Sequence, residues 1–156
     1  MDAIALTPIG VVRSTRAVVA DDDWDQEDVR IELDPARFTG DALLGLDAFS
    51  HVEVLFHMNR VDDADVETGA RHPRNNREWP VVGIFAQRGK NRPNRIGTAV
   101  CRVLRVEGTR LFVQGLDAVD GSPVLDLKPW VQEFGPRGTV VQPAWMSELM
   151  RSYWNA

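Results

Sequence analysis

Cysteine is almost missing from this chain of 156 residues: Cys101 stands alone, which excludes an intrachain disulfide and a thiolate metal cluster. It lies in the apolar run TAVCRVLRV, a setting that suits a small buried core residue better than a nucleophile. No apolar run reaches the length of a membrane span. The opening MDAIALTPIGVV has neither the basic start nor the long apolar stretch of a secretory signal, so a cytoplasmic protein without membrane attachment is expected. Also missing are G-x-G-x-x-G after a strand, G-x-x-x-x-G-K-[ST], H-E-x-x-H and G-x-S-x-G, which removes the most familiar nucleotide, zinc-protease and serine-hydrolase signatures. His51, His57 and His72 fall at no metal-ligand spacing with the carboxylates, and no metal site is expected.

What is present is an ordinary globular composition, 44% hydrophobic and 26% charged, long enough for one domain with a real core and little left for a second. The net charge of -5 argues against broad electrostatic capture of nucleic acid. The charge is unevenly spread, however. VVADDDWDQEDVRIELDP is strongly acidic, whereas RHPRNNREWPVVGIFAQRGKNRPNR, from Arg71 to Arg95, is strongly basic. A net count can hide such a local cationic cleft.

The apolar pattern is that of short strands. IGVVRS is the first, ended by Ser14 and Thr15. VRIELDP alternates Val29, Ile31 and Leu33 against Arg30, Glu32 and Asp34 until Pro35 stops it. DALLGLDAF reads as a short helical turn or connector. HVEVLFHM puts Val52, Val54 and Phe56 on one face and His51, Glu53, Leu55 and His57 on the other. A polar loop of the kind usually tied to function or flexibility follows, NRVDDADVETGARHPRNNREWP, then VVGIF as a buried strand. TAVCRVLRV and RLFVQGL flank Glu107-Gly108-Thr109, a hairpin signal, and DAVDGSPVLDLKPW reads as turn, strand and turn. Near the end, PAWMSELMRSYW sets Trp145, Leu149 and Trp154 near one face of a helix that Pro143 is placed to start. The expected fold is mostly β, a small β-barrel with a short C-terminal helix. Strands do not alternate with helices, which argues against a doubly wound sheet.

Two stretches could carry chemistry. In FAQRGKNRPNRIGT, Arg88 and Arg92 can act as rigid forks for a carboxylate or phosphate. Asn91 and Asn94 can donate and accept, Pro93 fixes the turn, and Gly97 would let backbone approach a ligand closely. A solvated loop is the alternative reading. In LDAVDGSPVLDLKPW, Asp117, Asp120 and Asp126 lie within ten residues. Asp120-Gly121 is an ordinary turn pair, and Asp126 with Lys128 has the parity of a half-buried ion pair.

Taken in order, PIGVVRS, RHPRNN, VGIFAQRGKNRPNRIGT and GLDAVDGSPVLDLKPW closely resemble the successive motifs of the TsaA-like family, which includes the TrmO-type tRNA methyltransferases acting on threonylcarbamoyl-adenosine beside the anticodon. The resemblance runs from about Leu6 to Phe134. It implies a single barrel domain over 1–156, with a core at about 6–134 and a helical tail at 142–154. It also implies a homodimer that binds S-adenosylmethionine near the subunit interface without a Rossmann fold, with tRNA as a possible partner. Carried over by motif, Arg88, Arg92 and Asn94 would border the cofactor, Thr98 would offer backbone contacts, and Val119, Asp120, Gly121 and Ser122 match the family's cofactor-contacting DG[ST]P turn. His57 and Met58 sit at the family's strand end, and Asp22, Asp23 and Trp24 occupy a further cofactor region, although DDDW replaces the Pro-Arg-Gln type of segment found in other members. Arg95 stands where relatives usually have proline, and Gln87 where they often have threonine.

The chemistry of S-adenosylmethionine suits these residues. Arginines can clamp its carboxylate, aspartates can offset its ammonium and sulfonium, and Trp24 or Phe85 can cover adenine or face the sulfonium. Methyl transfer from an activated donor needs alignment and exclusion of water more than a covalent nucleophile. If the acceptor loses a proton, His57 or Asp120 could take it, with a core or interface histidine as the competing reading of His57. The resemblance therefore implies a methyltransferase of tRNA. A small-molecule methyltransferase, and a non-catalytic cofactor-binding or RNA-binding module, remain as alternatives. Without an appended domain, tRNA binding would rest on the Arg71–Arg95 surface.

Overall fold

The computed structural model describes residues 2–154. Alternation of β-branched residues builds six strands that close on one another: β1 (Gly10–Ser14), β2 (Val29–Leu33), β3 (His51–His57), β6 (Ile96–Glu107), β7 (Arg110–Gln114) and β8 (Pro123–Pro129). Their order around the barrel is β1-β2-β7-β6-β3-β8, and β8 returns to β1 through the pairs Gly10 with Val124 and Val11 with Pro123. Every pairing is antiparallel. Closure removes the free edges that would otherwise invite another chain.

The core forms where inward residues meet. Val12, Ile31, Val52, Val54, Leu111 and Val124 are fully buried, joined by Val113, Phe56, Cys101 and Leu116. A buried aliphatic side chain of this kind contributes about 1.5–3 kcal/mol, so period-two patterning alone supplies most of what holds the barrel together. Cys101 behaves as a core residue, and burial pushes its thiol well above the ordinary range. Gly108 takes φ 59° and turns the β6–β7 hairpin as expected.

Three expectations change. VVGIF is not a buried strand: only Val82–Gly83 (β5) is extended, paired with Ala70–Arg71 (β4), and Ile84–Ala86 forms a 3-10 turn. That turn buries Ile84 and throws Phe85 outward to 79% exposure. The Asp126–Lys128 ion pair exists, but both side chains stay roughly half exposed rather than half-buried. Gly97 leaves no room for a ligand at its own Cα, because the ring of Phe56 fills the space and a Cβ there would meet Phe56 Cζ at 2.4 Å.

DALLGLDAF forms two short 3-10 turns, Gly40–Leu43 and Leu46–Ala48. The C-terminal helix α1 spans Ala144–Leu149, directly after Pro143. No helix among the described residues is long and apolar enough to cross a membrane.

Candidate functional site

At one end of the barrel, β3 finishes, β6 begins and the 116–122 segment leads into β8, so three chain segments open side by side. The register of β3 against β8 slips between Leu55 and Phe56, as happens where a strand is re-aimed at a site. The 59–95 excursion and the C-terminal segment rise around that end, and together they enclose a cleft of about 1120 Å³. That is room for a nucleotide-sized ligand.

Most of the residues named from the sequence come together there. Trp24, Met58, Phe85, Arg88, Arg92 and Asn94 line the cleft, as do Thr98, Val119 and Ser122. The Arg88 guanidinium donates to the Thr98 carbonyl at 2.9 Å, which fixes its stem against the first turn of β6. Arg92 donates to the Gln87 carbonyl at 3.1 Å and so braces the cationic loop itself. Trp24 is only 4% exposed, and its ring face is already covered by Arg16 at 4.3 Å. Of the two aromatic candidates, Phe85 therefore offers the free face.

Four named residues do not line the cleft: Asp23, His57, Asp120 and Gly121. His57 lies between Phe56 and Met58, and strand alternation turns it to the other side of the sheet. Partial burial, then the nearby Arg95 charge, hold its imidazole below the ordinary range. Asp120 ties the turn instead. Its Oδ1 accepts from the Ser14 N–H at 3.1 Å, and its carbonyl accepts from Arg60 at 3.0 Å. Gly121 carries φ 81° in that same turn, the reason a glycine follows the aspartate. Asp23 is an exposed left-handed residue whose carbonyl accepts from Arg16 at 2.6 Å.

The carboxylate that does reach the cleft is Asp117. Burial pushes its carboxyl up, offset by a hydrogen bond from the Tyr153 hydroxyl to Oδ2 and by the positive charge of Arg88. Burial and the Asp117 charge together raise the Tyr153 phenol. Asp117 stood in the sequence as one of three aspartates, and nothing in its spacing singled it out. Arg71 and Tyr153 were missed for the same reason: they reach the cleft only through the tertiary path of the loop and the tail. The tail residues Trp145, Leu149 and Trp154 also face the cleft.

Two features mark the cleft as more than a crevice. Among the described residues, the buried side-chain atoms that meet no hydrogen-bonding partner of ordinary geometry are Trp24 Nε1, Arg71 Nε, Arg95 Nε and Asp117 Oδ1. Three of those four residues line this one cleft, and such orphans are costly unless something else satisfies them. The non-glycine residues with positive φ are Asp23, Arg74, Asn75 and Arg95. Arg74 and Asn75 line the cleft, and Asp23 and Arg95 adjoin residues that do. Strain of this kind gathers at functional sites. A proline cannot adopt the φ of 51° found at Arg95, whose guanidinium bridges Asp63 and the Val61 carbonyl, each at 2.8 Å.

The cationic stretch is also less open than its composition suggests. Arg74 is paired with Asp22 at 2.9 Å, so the acidic 21–23 segment neutralises part of it. Arg77 and Lys90 are exposed and form no ion pair among the described residues.

A closed six-stranded antiparallel barrel with a cationic, partly strained cleft at one end defines a small all-β domain of a non-Rossmann class. Within that class the chain belongs to the family described as tRNA-methyltransferase O N-terminal domain, which matches residues 20–135. A "probable S-adenosyl-L-methionine-binding protein" of Methanothermobacter thermautotrophicus is 35% identical over 86% of this chain and 96% of its own length. The human tRNA (adenine(37)-N6)-methyltransferase is 34% identical over 65% of this chain, a match that spans 23% of the human protein. The crystal structure of TrmO from Pseudomonas aeruginosa superposes with a TM-score of 0.74 at 28% identity, covering 93% of this chain and 62% of that one.

Proposed function

We propose that this chain is an S-adenosylmethionine-dependent methyltransferase that methylates N6 of a tRNA adenine, with threonylcarbamoyl-adenosine beside the anticodon as the acceptor. The observation that carries the reading is the cleft itself, which sets the Arg88 guanidinium, the Asp117 carboxyl and the exposed Phe85 ring around one ligand-sized space. Its orphaned Trp24, Arg71 and Asp117 atoms fit a ligand with donors, acceptors and opposite charges on one frame.

Bound S-adenosylmethionine would supply a methyl group already activated by a sulfonium. The chain's own part is to bind and to exclude water. Arg88 is placed to hold a carboxylate, Phe85 to stack on a base, and Trp145, Leu149 and Trp154 to cover the cleft with apolar surface. Neither His57 nor Asp120 lines the cleft, so neither is in place to take a proton from the acceptor.

Incubation with labelled methyl donor, total tRNA and a small-metabolite pool should leave label on tRNA adenosine. Label found only in metabolites would instead favour the small-molecule enzyme, and cofactor binding without transfer would favour a binding module. For the tRNA itself, the unpaired Arg77 and Lys90 carry the reading better than Arg74. Neutralising both should flatten the slope of log affinity against log salt by roughly two units, one per lost phosphate contact. An unchanged slope would place tRNA elsewhere.

A homodimer belongs to the same proposal. Ile96, Val100 and Leu104 expose apolar surface along β6, the strand that starts at the cleft. Sedimentation should report a dimer that Leu104→Glu splits; a wild-type monomer would remove this part.

A further inference from the structure

The proximity of Arg88 and Asp117 has a specific chemical meaning. The Arg88 charge acts on both Asp117 and Tyr153, so cation and carboxyl share one corner of the cleft. They are not a closed ion pair: the guanidinium is committed to the Thr98 carbonyl at 2.9 Å. The carboxyl is committed through Oδ2 to the Tyr153 hydroxyl. Oδ1 accepts no hydrogen bond of ordinary geometry. A cation and a carboxyl held side by side, each with binding capacity left over, complement a ligand with both charges on one carbon.

We infer that Arg88 and Asp117 form a subsite for an α-amino acid group, Arg88 taking the α-carboxylate and Asp117 Oδ1 the α-ammonium. The inference rests on the reading that this cleft takes S-adenosylmethionine, and it adds which residues recognise the methionine end. Burial raises the free energy of the Asp117 carboxylate when it stands alone, and an ammonium brought beside it restores the ionised form. Tyr153 acts as a positioning residue. Its hydroxyl orients the carboxyl, and its backbone carbonyl accepts from the Trp24 N–H at 3.1 Å while that of Ser152 accepts from Asp23 at 3.1 Å. These bonds draw the C-terminal segment over the corner, where Oδ1 is shielded from solvent. A ligand therefore reaches Asp117 when that segment lifts.

The test is calorimetry with two thioethers: S-adenosylhomocysteine, and the same molecule with hydrogen in place of the α-ammonium. Wild-type protein should prefer the aminated ligand by about ten- to a hundredfold, the range for a hydrogen bond to a charged group. Asp117→Asn should erase that preference, whereas Tyr153→Phe, which keeps the carboxylate, should retain it. Equal affinity of the wild type for both ligands overturns the subsite and leaves the cofactor reading standing. So does a Tyr153→Phe variant that loses the preference as fully as Asp117→Asn, since the aspartate would then be only a structural partner of the tyrosine. Binding of neither ligand by the wild type removes the cofactor reading, and the subsite with it. If Asp117→Asn fails to fold, the wild-type comparison of the two ligands still decides.

Discussion

Replacing Gly10 with alanine should destabilise the protein by about 3 kcal/mol or more and lower its Tm by roughly 10 °C. Gly10 pairs with Leu33 on one side and Val124 on the other, at the point where β1 closes the barrel between β2 and β8. A Cβ there would lie 2.3 Å from the Glu32 carbonyl oxygen and 2.9 Å from the Leu33 Cα. Both obstacles are backbone, so no side chain can rotate away, and relief requires prising two strands apart. Gly121→Ala is the natural control. Its φ of 81° carries strain, but a Cβ there meets nothing within 4 Å, so the loss should stay near 1–2 kcal/mol. Thermal unfolding of the two variants side by side checks this. Equal shifts would mean that barrel closure is not tight at Gly10.

Arg88→Ala should weaken S-adenosylmethionine binding by about ten- to a hundredfold, the effect of losing a charge-assisted pair, and leave the melting temperature nearly unchanged. The side chain is exposed and its one protein hydrogen bond runs to the Thr98 carbonyl, so little of the fold depends on it. Arg92→Ala should differ in kind. That guanidinium braces the loop through the Gln87 carbonyl, so its removal loosens the loop as well as the ligand. Titration calorimetry with a melting curve on each variant separates the two effects. Unchanged affinity in Arg88→Ala would remove it from the site.

Strand alternation made the barrel legible because one face of each strand is buried: Val29, Ile31 and Leu33, or Val52, Val54 and Phe56, announce a core without any tertiary knowledge. VVGIF misled for the opposite reason. A short unbroken apolar run carries no periodicity, and here a 3-10 turn buries Ile84 while offering Phe85 to the cleft rim. The cationic loop was legible from its density of donors. Its partner was not. Asp120 stands beside the glycine of the turn, where an aspartate draws notice, yet its carboxylate is used up by the Ser14 N–H. Asp117 becomes special only when the C-terminal segment folds back and lays the Tyr153 hydroxyl on it, a contact 36 residues apart in sequence. The neutralisation of Arg74 by Asp22 spans 52 residues and was equally hidden.

The most direct check on the site is amide hydrogen exchange with and without S-adenosylmethionine. The cofactor should protect the 86–98 loop, the 117–122 segment and the C-terminal tail together, and leave the β1–β2 and β7 amides on the rest of the barrel as they were. Protection confined to the opposite end, around Leu43 to Phe49, or no change in the 86–98 loop at saturating cofactor, would contradict the account.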